Sequence, residues 1–126
     1  EHAKIWYKYF IGGAIQDTKT NLVTSIKSEH YEWTVMYKNY AKVAREEGFE
    51  DIAQHFERVA TVEKFHNERY EKVLKTMNDG ETFKRNKKVI WECGNCGYHF
   101  IGEKAPETCP LCEHPKAYFF DKEEIL

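Results

Sequence analysis

Residues 93–112 read CGNCGYHFIGEKAPETCPLC. Two Cys-x-x-Cys pairs, Cys93 with Cys96 and Cys109 with Cys112, contain all four cysteines of the 126-residue chain. Each pair lets two thiolates converge on one tetrahedral centre, and two pairs close its shell. Gly97, directly after Cys96, permits a tight knuckle whose backbone N–H groups can point at sulfur and stabilise its negative charge. Short apolar runs at Val89–Glu92, Tyr98–Ile101 and Lys116–Phe120 predict three small strands around the knuckles. A module this small has too little core to fold without a staple. The metal supplies it, with Trp91, Tyr98, Phe100, Tyr118 and Phe119 as candidate packing. A four-cysteine zinc ribbon satisfies the same spacing; the aromatic shell and the Cys-Gly-Tyr and Cys-Pro-x-Cys knuckles favour iron.

Upstream the pattern is helical. Residues 1–11 read as the tail of a helix, with Ile5, Tyr9 and Phe10 as apolar positions and Gly12-Gly13 as its stop. Asp17 or Thr18 can cap a second helix. Its stripe runs through Ile26, Glu29, Trp33, Met36, Tyr37, Tyr40, Val43 and Ala44 at helical spacing and ends near Gly48. A third helix starts near Phe49-Glu50, carries Phe56, Val59, Ala60, Glu63, His66, Tyr70 and Leu74, and stops at Asn78-Asp79-Gly80. The short turn at Gly48 makes the two long helices antiparallel neighbours. Two helices and a stub cannot bury their apolar faces alone, and the chain opens on Glu1-His2-Ala3-Lys4 at full amphipathic strength with no cap. Both features predict further sequence upstream of Glu1, or a partner chain. The division expected is a helical domain over 1–82 and a sulfur domain over 83–126, with 84–88 (Lys-Arg-Asn-Lys-Lys) inside a polar linker.

Composition narrows the function classes. Nineteen basic residues stand against 21 acidic, a net charge of −2, which argues against a nucleic-acid footprint. No apolar stretch approaches the roughly 20 residues that span a bilayer. No signal peptide is visible, so a cytoplasmic location and reduced, metal-ligating cysteines are expected.

The helices carry a second candidate site. Glu29 and Glu32 lie three apart on one helix, and Glu63 and His66 lie three apart on the next, so each pair shares a face. Glu-x-x-His projecting inward is the ligand unit of di-iron carboxylate bundles. Both pairs lie close to the apolar stripes, where a carboxylate is costly unless it is paired or binds metal. The other histidines read as non-ligands: His30 and His55 as exposed helix residues, and His99 and His114 beside a sulfur shell that is already full.

With these residues in place the chain resembles rubrerythrin, a ferritin-like di-iron domain followed by a rubredoxin-like domain. The likeness runs through Glu1-His2-Ala3-Lys4, Ser28-Glu29-His30-Tyr31-Glu32, Met36-Tyr37, Ala44-Arg45-Glu46-Glu47-Gly48, Val62-Glu63-Lys64-Phe65-His66 and Cys93-Gly94-Asn95-Cys96-Gly97-Tyr98 on to Ala105-Pro106-Glu107-Thr108-Cys109-Pro110. The resemblance implies a partial ferritin-like four-helix bundle ahead of a rubredoxin-like domain. It implies Glu63 as a bridging carboxylate, with His66 and Glu29 on one iron. Glu32 and His2 become alternative ligands between which the other iron moves as its redox state changes, and Tyr37 a hydrogen-bond donor beside the site. Two glutamates of the family pattern would fall upstream of Glu1, and the loop from Gly13 to Asp17 is shorter than that pattern.

The function implied is a di-iron peroxidase. Electrons from an NADH-linked reductase or a rubredoxin pass through the four-cysteine iron to the helical site, where hydrogen peroxide becomes water, in a cytoplasmic homodimer that serves in oxidative stress. Zinc is a possible substitute at the sulfur site. The alternatives are a ferroxidase or iron-storage protein on the same bundle, and a zinc-ribbon binding module with a helical arm.

Overall fold

The computed structural model describes residues 2–123. The chain forms two compact units, Glu1–Leu74 and Lys75–Leu126.

The first unit is helical. Helix α1 spans His2–Phe10 and α2 spans Thr18–Tyr31. Asp17 caps α2 as expected: its carboxylate accepts the Thr20 N–H at 3.0 Å and the Thr20 hydroxyl at 2.8 Å. The second predicted helix is not one uninterrupted α-helix. Residues Glu32–Met36 form a π-helical turn, and α3 continues from Tyr37 to Glu46. Helix α4 spans Glu50–Asn78. The turn between α3 and α4 rests on Gly48, whose φ of +84° is a left-handed conformation that side chains resist. The Phe49 N–H returns to the Ala44 carbonyl at 2.8 Å and the Gly48 N–H to that of Arg45 at 3.1 Å, satisfying the last carbonyls of α3. Ala41, Ala44 and Ala53 are buried beside this turn, with Phe56 packed against them. Small residues there let the two helices approach closely. Helix α1 is exposed along its length, with Phe10 88% exposed.

The second unit contains a three-stranded antiparallel sheet in the order β2-β1-β3: β1 Lys84–Cys93, β2 His99–Lys104 and β3 Phe119–Asp121. Its core is Val89, Trp91, Cys93, Ala105, Cys109 and Phe119. Trp91 is fully buried and donates its Nε1–H to the Gly102 carbonyl at 3.0 Å.

Two details depart from the sequence reading. Residues 84–88 are not a linker but the first half of β1, and the register shifts between Lys84 and Val89. Long-range partners draw this charged run in. The Phe83 carbonyl accepts from the Ala105 N–H at 3.0 Å, and its ring packs on the core. The Arg85 guanidinium lies 5.2 Å from the Trp91 ring and pairs with Asp121 at 3.0 Å. Residues Lys116–Tyr118 form a 3-10 turn, so the closing strand begins only at Phe119.

The Arg85–Asp121 pair is well shielded, with side chains 18% and 7% exposed. Removing one partner of a buried pair leaves the other charge uncompensated. Arg85→Ala is expected to destabilise the metal-loaded second unit by about 3–5 kcal/mol. Denaturant unfolding followed at the metal–thiolate absorption checks this. A loss below about 1 kcal/mol would place the pair among solvent-screened contacts.

Candidate metal centres

The sulfur centre is built from two knuckles that repeat one backbone pattern. In the first, the Gly97 N–H donates to the Cys93 carbonyl at 2.8 Å and the Cys93 N–H to that of Tyr98 at 2.9 Å. In the second, the Glu113 N–H donates to the Cys109 carbonyl at 3.0 Å and the Cys109 N–H to that of His114 at 2.8 Å. Gly97 and Glu113 are equivalent positions, and both are left-handed, with φ of +74° and +61°. The strain that glycine avoids in the first knuckle is borne by a glutamate in the second. The next residue in each knuckle, Tyr98 or His114, gives its backbone N–H to the outer sulfur, Cys96 or Cys112.

The four Sγ atoms lie within 4.8 Å of one another, with Cys93 to Cys112 and Cys96 to Cys109 both 3.7 Å apart. A regular tetrahedron with 3.7 Å edges has its centre about 2.3 Å from each vertex, the metal–thiolate distance of such sites, so these two edges match a bound metal. Thiols packed this way cannot all ionise without a cation. The His114 N–H draws Cys112 down to about 6. At Cys96 the Tyr98 N–H acts in the same direction, but local desolvation of the sulfur and the hydrogen bonds shared with the other three sulfurs outweigh it and push the thiol up to about 12. A metal that binds all four as thiolates resolves the conflict, so the residues fit the group. Cys93 and Cys109 are buried, while Cys96 is exposed.

The second convergence lies between α2 and α4. Glu63 and His66, one turn apart, face Glu29, and one ligand atom from each lies within 4.8 Å of the others. His66 Nδ1 is 2.6 Å from Glu63 Oε2 and 3.5 Å from Glu29 Oε2. The two carboxylates are sheltered, with side chains 17% and 14% exposed. Burial raises the Glu29 carboxyl above the usual carboxylate range; the neighbouring Glu63 and Glu32 add to the rise, and His66 opposes it. Glu29 Oε2 is buried and accepts no hydrogen bond. A buried oxygen of this kind, beside a second carboxylate and an imidazole nitrogen, is what a hard cation would satisfy.

The remaining candidates stand outside this set. Glu32 opens the π-helical turn, and its Oε1 accepts from the Ser28 hydroxyl at 3.1 Å. The Tyr37 backbone N–H donates to the Glu32 carbonyl, the five-residue step that defines a π turn. Such turns shift every later side chain around the helix axis and recur at functional sites. The Tyr37 phenol is raised by burial and then by the charges of Glu63, Glu32 and Glu29, so it sits within electrostatic reach of all three. His2 is exposed on α1 and joins neither convergence. His30 is exposed and meets Trp33 edge-on at 5.4 Å, and His55 binds the Asp51 carbonyl at 2.6 Å. His99 contacts Glu92 at 3.0 Å, and His114 contacts the Cys112 carbonyl at 3.1 Å. Sequence reasoning missed Asn67, only 5% exposed, whose Nδ2 donates to Glu71 at 2.9 Å while its buried Oδ1 has no partner. Its place one turn beyond Glu63 was the available signal.

A helix pair that converges carboxylates and an imidazole, followed by a closed four-thiolate module, defines a two-domain metalloprotein with one oxygen/nitrogen site and one sulfur site. Residues 1–90 match the rubrerythrin family, and residues 91–120 match the rubrerythrin rubredoxin-like domain. The chain belongs to the rubrerythrin family. It is 42% identical over 130 residues to rubrerythrin from Nitratidesulfovibrio vulgaris, an alignment covering 94% of this chain and 68% of that protein. It is 39% identical over 130 residues to rubrerythrin from Porphyromonas gingivalis, covering 94% of this chain and 65% of that one. Among solved structures, mixed-valence nigerythrin aligns with a TM-score of 0.49 at 28% identity, over 84% of this chain and 50% of that chain. The chain thus spans about two thirds of these rubrerythrins and half of the nigerythrin chain. The helical domain is ferritin-like and of the di-iron type, and the sulfur domain is rubredoxin-like, with four cysteines for a mononuclear iron.

The raised Glu29 carboxyl gives a pH dependence with a definite sign. Its proton is held at a pH where an ordinary carboxylate has lost it, so a cation must displace that proton to bind. Fe(II) affinity at the helical site should rise with pH from the ordinary carboxylate range up to the raised Glu29 value and level off above it. In the metal-free protein the same group favours the fold at low pH, and that contribution is lost as pH rises through its folded pKa. Calorimetric Fe(II) titrations at stepped pH, with proton release measured in parallel, check both. A pH-independent affinity would contradict this reading of Glu29.

Proposed function

We propose that this protein is a peroxidase that reduces hydrogen peroxide to water at the helical site, with electrons delivered through the four-cysteine iron. The observation that supports it most directly is the pairing, in one chain, of a closed sulfur tetrahedron with a sheltered Glu29–Glu63–His66 convergence that holds an unsatisfied oxygen. The sulfur set suits one-electron exchange, and the carboxylate set suits two cations that must be bridged and charge-balanced. Peroxide reduction consumes two electrons and two protons and yields two waters. A bound iron pair would supply the two electrons and polarise the peroxide.

The chain's own residues have distinct parts in this reading. Glu63 and Glu29 would bring negative charge to bound metals, and the His66 imidazole would supply a nitrogen ligand. Glu32, outside the converged set, is proposed as a ligand that exchanges with His2 as oxidation state changes. Tyr37 is proposed as the hydrogen-bond donor beside the carboxylates. In the sulfur domain the Tyr98 and His114 N–H groups stabilise the outer thiolates and so help set the potential. The proposed working division is a di-iron domain over 1–82 and an electron-relay domain over 83–126. The proposed partners are an NADH-linked reductase or a rubredoxin as donor and a second copy of the chain as a homodimer. The proposed location is the cytoplasm; no described helix is long and apolar enough to cross a membrane.

Steady-state peroxide consumption with a reduced donor tests the assignment against ferroxidase activity. Peroxide should turn over faster than Fe(II) with oxygen; the reverse order would overturn it. Glu63→Ala should lower peroxide turnover by more than the roughly 100-fold that loss of an outer-shell partner can cost. The visible absorption of the sulfur site should persist in that variant, and its loss would contradict two independent centres.

A further inference from the structure

Glu32 stands three residues after Glu29, yet its carboxylate is outside the set of ligand atoms that lie within 4.8 Å of one another. Its Oε1 instead accepts the Ser28 hydroxyl at 3.1 Å. Glu32 keeps helical dihedrals, with φ −60° and ψ −50°. At about 100° per residue around the axis it therefore lies between two neighbours, about 40° from Ser28 and about 60° from Glu29. Ser28 is exposed and Glu29 is sheltered, so the first marks the solvent side of Glu32 and the second the site side.

The backbone here is fixed at both ends of the residue. The Glu32 N–H donates to the Ser28 and Glu29 carbonyls, and the Glu32 carbonyl accepts the Tyr37 N–H. The Thr34 hydroxyl donates to the His30 carbonyl across the same turn. A move of the Glu32 carboxylate from Ser28 towards Glu29 is then a change of side-chain rotamer that breaks no helical bond. Two forces set where it rests. Glu29 and Glu63 repel a third carboxylate as long as no cation lies among them. Ser28 gives the outer position a hydrogen bond to a charged acceptor, which is stronger than one between neutral groups.

We propose that Ser28 is a positioning residue whose hydroxyl latches the Glu32 carboxylate outside the Glu29–Glu63–His66 convergence and so sets how readily Glu32 binds metal there. The latch rests on the reading of Glu32 as a ligand that exchanges with His2. Glu32 would bring a negative charge and His2 a neutral imidazole, so the carboxylate favours ferric iron and the imidazole ferrous. A hydrogen bond that must break before Glu32 binds lowers the population of the binding conformer. It penalises the ferric state alone, and Ser28 thereby raises the potential of the helical site.

The test poises the iron-57-loaded full chain at stepped potentials. Mössbauer spectroscopy reads the ferric and ferrous shares of its oxygen/nitrogen component, with the four-sulfur component as internal control. Ser28→Ala is expected to favour the ferric state about three- to tenfold. At about 59 mV per tenfold, that lowers the midpoint by about 30–60 mV. The sulfur midpoint should stay in place. Ser28→Thr, which keeps the hydroxyl, should hold the parent value, and Ser28→Ala should add no shift in a Glu32→Ala background. Ser28→Ala without a downward shift, or with the same shift in the Glu32→Ala background, overturns the latch. A midpoint unmoved by Glu32→Ala overturns the exchange reading of Glu32 and the latch with it. Neither result touches the peroxidase assignment, which peroxide turnover decides. Absence of the oxygen/nitrogen component overturns the iron loading on which latch and peroxidase both rest.

Discussion

Ligand atoms in this chain are held closer together than their charges permit without cations among them. Four sulfurs lie within 4.8 Å of one another, two of the pairs at 3.7 Å, and two sheltered carboxylates share a space with one imidazole nitrogen. Without metal, protons must bridge the difference, and they do so unevenly: one outer thiol is drawn down, the other is pushed up, and burial raises the Glu29 carboxyl. The same compression favours metal at both sites, because a cation removes a repulsion as well as forming bonds.

The two domains support their sites differently. In the sulfur domain the metal and the fold are one problem. The core residues Cys93 and Cys109 are themselves ligands, so the sheet packs on sulfur as much as on Trp91 and Phe119. In the helical domain the ligands belong to elements with other reasons to form, namely the Asp17 cap, the Gly48 turn and the alanine contact between α3 and α4. Loss of metal there should leave helices in place, whereas in the sulfur domain it removes the staple.

The two convergences, of four cysteines and of Glu29, Glu63 and His66, were legible in the sequence because their spacing is dictated by geometry. Cys-x-x-Cys and Glu-x-x-His mean the same thing wherever the local backbone is a knuckle or a helix. The helix limits were legible because Asp17 and Gly48 act on neighbours in the chain. What escaped depends on distant or degenerate causes. Residues 84–88 look like a solvated linker until Asp121, 36 positions after Arg85, claims that side chain. The π turn at Glu32–Met36 exchanges one hydrogen-bond step for another with no change in residue type that announces it. Glu113 occupies a left-handed position that composition assigns to glycine, because the second knuckle must match the first. Asn67 is not legible because nothing in the local pattern of a charged helix marks one polar residue as buried.

The central claim is that one chain holds two chemically distinct iron centres, one ligated by sulfur alone and one by carboxylate and imidazole. Mössbauer spectroscopy of the full chain loaded with iron-57 tests it directly, because each ligand set gives its own isomer shift and splitting. The account predicts one tetrahedral four-sulfur component and a second component of oxygen and nitrogen coordination with twice its area. A spectrum with the sulfur component alone, under conditions where Fe(II) is in excess, would contradict it.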